Sequence, residues 1–475
     1  MRPATQSAIS RTPGTVALGA LAILFVFACV FWKERVFFGD AAWIGFRIAN
    51  FGSLQIQEHR YGSFITQLVP LTGVWLGLPL KVLLALYSLS FNAFYLLAGI
   101  LLYRWRQYDF LVLLALYFTI TISVGFYWTN NEVHQGMTWL LLAFGWSTSK
   151  TSFRKALFYP VAFGLFFLAF SSHMLLLLAG GCLWVHLWLA GRRPLYGSQR
   201  GWILAGFALL TAGWRYYMSK VAGWYDAEKL SFIDGLTFSS IPEAFGRDSS
   251  RGFLERFVTH YPALPALLLL VLVALVSQKR WLALGWHLLS LAACWFFISI
   301  TFSNFIPWYS ESDWACWTMA ALIPLALYGF PFSGTKITTG FLSVGLLLSL
   351  GRIYQSSTPF RKLLHQKETL VGRLQEKHLT KVAVVIASPE TLDSQLLIAW
   401  PLPVEVYSLS AMSGPAPVVS LGFIQTPANG PQAADTLLIP FGTLSSRQFR
   451  NRYYPVDSVT PYAIYPVDSL HRWLN

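Results

Sequence analysis

The stretch FFGDAAWIGFRIAN (37–50) carries an acid, an indole and a guanidinium in close succession. Asp40, Trp43 and Arg47 fall at i, i+3 and i+7, the spacing of one helical face. A carboxylate so placed can take a proton from an attacking hydroxyl. An arginine two turns along can hold negative charge as it develops, and the ring between them can seat a substrate. Asp40 follows a glycine and opens a helical run, so it also has the residue type of an N-cap. Glu132 and His134 in TNNEVHQG (129–136), His173 after Ser171-Ser172, and Glu311 and Asp313 in WYSESDW (308–314) add acids and imidazoles at the ends of apolar runs. Each could contact a substrate, and each also suits a cap or a solvated turn. His, Asp and Glu never fall at a zinc spacing such as HExxH, so no metal site is expected. Cys29, Cys182, Cys294 and Cys316 lie in or beside apolar runs without a CxxC pair and read as buried small hydrophobes.

The elements that must position these groups follow from composition. Of 475 residues, 55% are hydrophobic and only 12% charged, against roughly 25% charged in soluble domains. The chain needs a bilayer as its second solvent and reads as an α-helical polytopic membrane protein. About 20 apolar residues cross a hydrocarbon core. By that measure some eleven spans are expected, near 15–32, 80–103, 110–127, 134–149, 156–171, 173–190, 201–221, 262–278, 281–300, 314–331 and 338–354. The segment 64–79, broken by Gln67, Pro70, Gly73 and Gly77, is read as juxtamembrane or re-entrant. With it outside the count, Arg2, Arg11, Arg104, Arg106, Lys150, Arg154, Lys155, Arg192, Arg193, Arg200, Lys279, Arg280 and Lys336 share one compartment. The positive-inside rule makes that side cytosolic, so much of the net charge of +14 needs no nucleic-acid partner. Asp40, Glu132, Glu311 and Asp313 then face the opposite side.

Hydropathy falls after Tyr354, and the chain divides into a membrane part (1–355) and a tail (356–475). The tail opens with a charged helix-like run (361–378), followed by a buried-strand signature, KVAVVIA (381–387). Strand-like runs follow at 404–409, 417–423 and 436–440, which together suggest a small C-terminal α/β domain outside the membrane. A near-repeat, YPVDS at 454–458 and 465–469, reads as two similar turns.

Gly39-Asp40 directly after the first span, with Arg47 and Asn50 in a GD-x(6)-R-x-x-N arrangement and acids in the next outer loop, resembles the GT-C superfamily of membrane-embedded glycosyltransferases. The resemblance implies a sugar donor on a polyprenyl phosphate and a glycan, lipid or protein acceptor. It further implies an active site in the outer loop 33–79 with Asp40 as the catalytic acid. Many relatives have two adjacent acids there, whereas Ala41 follows Asp40 here, so a divalent cation has weak support and no other cofactor is implied. The expected location is the plasma membrane (a bacterial inner membrane), with the N-terminus cytoplasmic and the tail extracytoplasmic. Chemistry outside the cytosol is consistent with the absence of a P-loop or Rossmann fingerprint. Displacing a lipid phosphate from an anomeric carbon needs a base, for which Asp40 is suited, and a cation. Arg47, Arg60, Arg215, Lys220 or Arg352 could supply it, and the sequence does not choose among them. One in-line displacement would invert the anomeric centre. Trp43, Glu132, His134, His173, Glu311 and Asp313 are the candidate substrate contacts. The alternatives are a transporter or flippase of lipid-linked sugars, or a polysaccharide ligase or polymerase.

Overall fold

The computed structural model describes residues 9–149, 155–191, 199–221, 226–229, 231, 236–237, 240–302, 304–307, 309–329, 335–414, 417–426, 434–449 and 452–474. It is mostly helical, at 74%. The elements that matter for the site begin with α1 (Arg11–Val30), α2 (Asp40–Phe51), α3 (Phe64–Trp75), α4 (Leu80–Arg104) and α5 (Tyr108–Ile120). Next come α6 (Glu132–Thr148), α7 (Lys155–Ser172), α8 (Leu176–Leu189) and α9 (Gln199–Val221). They are followed by α10 (Asp248–Thr259), α11 (Ala263–Ser277), α12 (Trp281–Thr301), α13 (Ser310–Asp313), α14 (Ala315–Tyr328), α15 (Thr335–Gln355) and α16 (Ser357–Glu376).

Among the described residues four helical stretches are long and apolar enough to cross a membrane: 11–30, 80–104, 281–301 and the continuous 335–376. The pair α10–α11, bent by 88°, makes a possible fifth. The expected count of about eleven is therefore corrected. The apolar segments in question are helical, but several are cut short. The helix in 110–127 ends at Ile120, and α8 and α14 run 14 residues each. At 1.5 Å per residue such a helix spans about 21 Å, short of a hydrocarbon core of about 30 Å. Hydropathy windows register composition and not where the backbone turns. The segment 64–79 forms the 12-residue α3 with Pro70 inside it, packed against α4.

The tail continues with β1 (Lys381–Val385), α17 (Leu402–Met412), β2 (Ser420–Ile424), β3 (Thr436–Ile439), β4 (Gly442–Ser445), β5 (Ala463–Pro466) and α18 (Val467–Leu474). The sheet order is β2-β1-β5, all parallel, with Val382 opposite Leu421 on one side and Ala463 on the other; β3 and β4 pair as a separate antiparallel hairpin. Strand β1 is buried along nearly its whole length, the pattern of a central parallel strand. Two expectations are corrected. Residues 404–409 lie in helix α17 and not in a strand, because a short apolar run fits a helix buried on all sides equally well. The second YPVDS opens helix α18. The first remains a turn in which the Asp457 carboxylate accepts from the Val459 and Thr460 amides at 3.0 and 2.9 Å.

One hydrophobic core joins both parts of the chain, from Ala17 and Leu24 through Phe46 to Val382 and Leu421. Helix α2 is one of the elements where the two parts meet. Phe46 packs on Tyr454 at 4.9 Å and on Tyr407 of α17 at 6.4 Å, and Asn50 Nδ2 donates to the Gln448 carbonyl at 3.0 Å. The tail thus grips the helix that carries Asp40.

Candidate active site

Helix α2 starts at Asp40, and Gly39 takes the N-cap position with φ +60° and ψ −139°. That conformation is open to glycine and costly for other residues. It places the Asp40 side chain in the first turn of the helix without using it as a cap. The backbone just before it is held by the tail. Lys367 Nζ of α16 donates to the Phe37 carbonyl at 2.9 Å and pairs with Glu405 of α17 at 2.5 Å, both side chains being fully buried. Burial pushes the Glu405 carboxyl up, while Lys367 and the Gly39 amide pull it back.

Asp40 lines a cavity of about 560 Å³ with Trp43, Arg47, Arg60, Trp128, Glu132, His173, Tyr309, Asp313, Trp400 and Phe441 among its walls. Desolvation, then the charge of Glu132, raises the Asp40 carboxyl to about 7, against the smaller opposing pull of the Trp128 indole and of Arg60. Such a group is divided between acid and base near neutrality. Arg47 lies over the Trp43 ring at 5.4 Å and the Phe51 ring at 5.9 Å. Among the described residues it makes no ion pair, so its guanidinium N–H groups remain available to an anion in the cavity. Arg60 is in the same cavity but committed: Nη1 is 3.4 Å from Glu132 and Nη2 3.0 Å from Asp226, and Asp226 also pairs with Arg215. A guanidinium already balanced by two carboxylates is a poor phosphate clamp, so the site favours Arg47 over Arg60 in that role.

Three more expected residues reach the cavity. Glu132 opens α6, where Asn131 caps by accepting from the amides of Val133 and His134 at 3.0 and 3.3 Å. His173 Nδ1 accepts from the Leu175 amide at 3.2 Å, which assigns the ring proton to Nε2. Burial, and then Arg60, lower its pKa to about 3, so it is neutral. Asp313 is raised to about 8 by burial, with Lys229 opposing. An apolar groove of about 180 Å³ adjoins the cavity. It is lined by Met174, Leu177, Leu178 and Phe297 and shares His173, Leu175 and Phe302 with it.

Three expected residues lie elsewhere. Glu311 Oε1 accepts from Ser123 Oγ (2.7 Å), the Val124 amide (3.1 Å) and Tyr261 Oη (2.5 Å). Its Oε2 accepts from the Ser123 and Gly125 amides at 2.8 and 2.7 Å. It therefore caps the short 3₁₀ turn at 124–126 and has no lone pair left for a ligand. Arg352 donates to the carbonyls of Thr119, Ile120 and His260 at 3.0, 2.7 and 3.1 Å, closing the C-terminal end of α5. His134 is buried with Nδ1 at 2.6 Å from Tyr117 Oη. None of the three lines the Asp40 cavity. Helical geometry explains why two of them lie outside it. Glu132 and His134, and likewise Glu311 and Asp313, are two apart, and residues at i and i+2 do not share a helix face.

The sequence reading missed Asp226, Trp128, Trp400 and Phe441. The aromatic content of the chain is high throughout, so no local signal marks these rings. Among the described residues, no three His, Cys, Asp or Glu side chains gather as a metal-ligand group. Of the four free cysteines, Cys182, Cys294 and Cys316 are buried, as small hydrophobes would be, whereas Cys29 is exposed and the expectation for it is corrected. No protein-family model, curated protein or solved structure matches the chain, so the chemistry of this cavity rests on the residues just described.

Proposed function

We propose that the chain is a membrane-embedded glycosyltransferase of the GT-C kind, with its cavity on the extracytoplasmic side and the basic loops in the cytosol. The sugar comes from a polyprenyl phosphate and passes to an acceptor hydroxyl on a glycan, lipid or protein. Asp40 takes the hydroxyl proton as the acceptor oxygen bonds to the anomeric carbon. The bond from that carbon to the phosphate oxygen breaks, and the electron pair leaves with the lipid phosphate, whose charge Arg47 holds. The anomeric configuration inverts. The observation that carries this reading is the pairing of a carboxyl poised near 7 with an uncommitted arginine in one cavity. A base near the working pH and a fixed cation opposite the leaving group are what such a displacement requires. The adjoining apolar groove suits an isoprenoid chain.

The test is an in vitro transfer assay in detergent or liposomes, using a panel of polyprenyl-phosphate sugars with Asp40→Asn as control. Transfer by the parent chain and its loss in the variant are expected. Normal transfer by Asp40→Asn sinks the mechanism. Translocation of the lipid-linked sugar without transfer would favour a flippase.

A further inference from the structure

A second cavity, of about 470 Å³, lies at the carboxyl ends of the parallel strands β1 and β2. Its walls are the loop after β1 (386–390), the end of β2 and the β3–β4 hairpin, and it includes Trp400 and Phe441. Those two rings also line the Asp40 cavity. They lie against each other at 5.1 Å and 35°, so one aromatic pair forms the boundary between the two spaces. In open α/β sheets the crevice beyond the strand carboxyl ends is the usual ligand position.

We infer that this second cavity binds the acceptor, and that the acceptor is an oligosaccharide whose end reaches Asp40 while its inner sugars lie over Trp400 and Phe441 at the sheet edge. The inference rests on the transferase reading and adds the class of acceptor. Three observations carry it. Among the described residues no lysine or arginine lines the second cavity, and Glu390 does, so a phosphate or other anion is disfavoured there. Ser388, Gln425 and Thr443 offer uncharged donors and acceptors beside aromatic faces, the combination that suits a neutral ligand with hydroxyls on its edges and C–H groups on its faces. Phe441 sits at the hairpin tip with 83% of its surface exposed and φ +64°. A bulky residue held in a left-handed conformation while mostly exposed adds little to the core, and such strain is tolerated where it serves a site.

The full-length protein in detergent, applied to an array of short neutral and acidic oligosaccharides, tests this. Retention on neutral glycans is expected, reduced by about tenfold or more in Trp400→Ala and in Phe441→Ala. Phe441 is so exposed that its replacement leaves folding intact, which a thermal melt checks. No retention on any glycan, retention unaffected by both variants, or preference for acidic glycans overturns the acceptor site. Ring-dependent glycan retention together with normal transfer by Asp40→Asn would instead overturn the catalytic reading and leave the glycan site standing.

Discussion

Two carboxylates in this molecule, Asp40 and Glu311, lie in the first turns of helices, and they do opposite work. Glu311 accepts from three backbone amides, a serine and a tyrosine. Asp40 faces a cavity, near Glu132, with only the Trp128 indole and a committed arginine opposing its protonation. The arginines divide the same way. Arg352 turns both terminal nitrogens to carbonyls, two of them at the end of α5, whereas Arg47 lies across rings beside open space. A buried charged group with every bond satisfied is part of the scaffold, and one with capacity left over in a cavity is where chemistry can occur. Residue type alone does not separate the two cases; the count of partners does.

The contrast can be broken by substitution. Asp40→Asn should lower the transfer rate by about 10²- to 10⁴-fold, as expected for a lost general base, with the melting temperature preserved or raised; a rate within a few-fold of the parent would remove the distinction from Glu311. Lys367→Met leaves Glu405 charged and unpaired in the core and should destabilise by about 3–5 kcal/mol. Its loss would appear as a lower melting temperature and lower yield, and Lys367→Met combined with Glu405→Leu should recover much of it. Glu311→Ala strands the amides of the 124–126 turn and should cost about 3 kcal/mol or more. The fraction that remains folded should keep its turnover number, and a selective loss of turnover would reassign Glu311 to the reaction. Arg47→Gln should raise the donor KM by about tenfold or more without shifting the melt, while Arg352→Gln should shift the melt and leave KM alone.

The smallest effect is on pH. Asp40 and Asp313 rise from 3.8 to about 7 and about 8 in the fold. Between pH 3.8 and those values the folded chain holds protons that the unfolded chain releases. The contribution of the two groups to stability is therefore present in full below pH 3.8 and is lost as pH rises through about 7 and 8. Transfer should change in the other direction, increasing as Asp40 ionises near pH 7. Melting temperatures of the parent and Asp40→Asn across this range check the sign: the variant should gain on the parent as pH rises, and a parallel pair of curves would count against a raised Asp40.

Asp40, Trp43 and Arg47 could be read together because one helix fixes their relation, and i, i+3 and i+7 share a face whatever surrounds them. Glu132, Asp313 and His173 could be nominated but not joined to them, since they come from segments about 90 to 270 residues away. The same windows nominated His134 and Glu311, which their own helices turn away from the cavity. Arg60 was legible as a cation, but its pairing with Glu132 and Asp226 was not, because both acids are distant in sequence. The strand-like run at 404–409 failed for a related reason: buried on every side, α17 has no polar face to show a helical period.

The sequence by itself determined that this chain is built from apolar helices with a small sheet region at the end, because solvent preference is additive over a local window. It also determined the acid–ring–guanidinium stripe, because helical spacing is local. Only the tertiary structure decided how long each helix runs and which charges are already neutralised. It alone brought Trp400 and Phe441 of the tail to the Asp40 cavity. Those outcomes depend on partners contributed by distant segments, and a hydrogen bond or an ion pair exists only once both of its ends have been brought together.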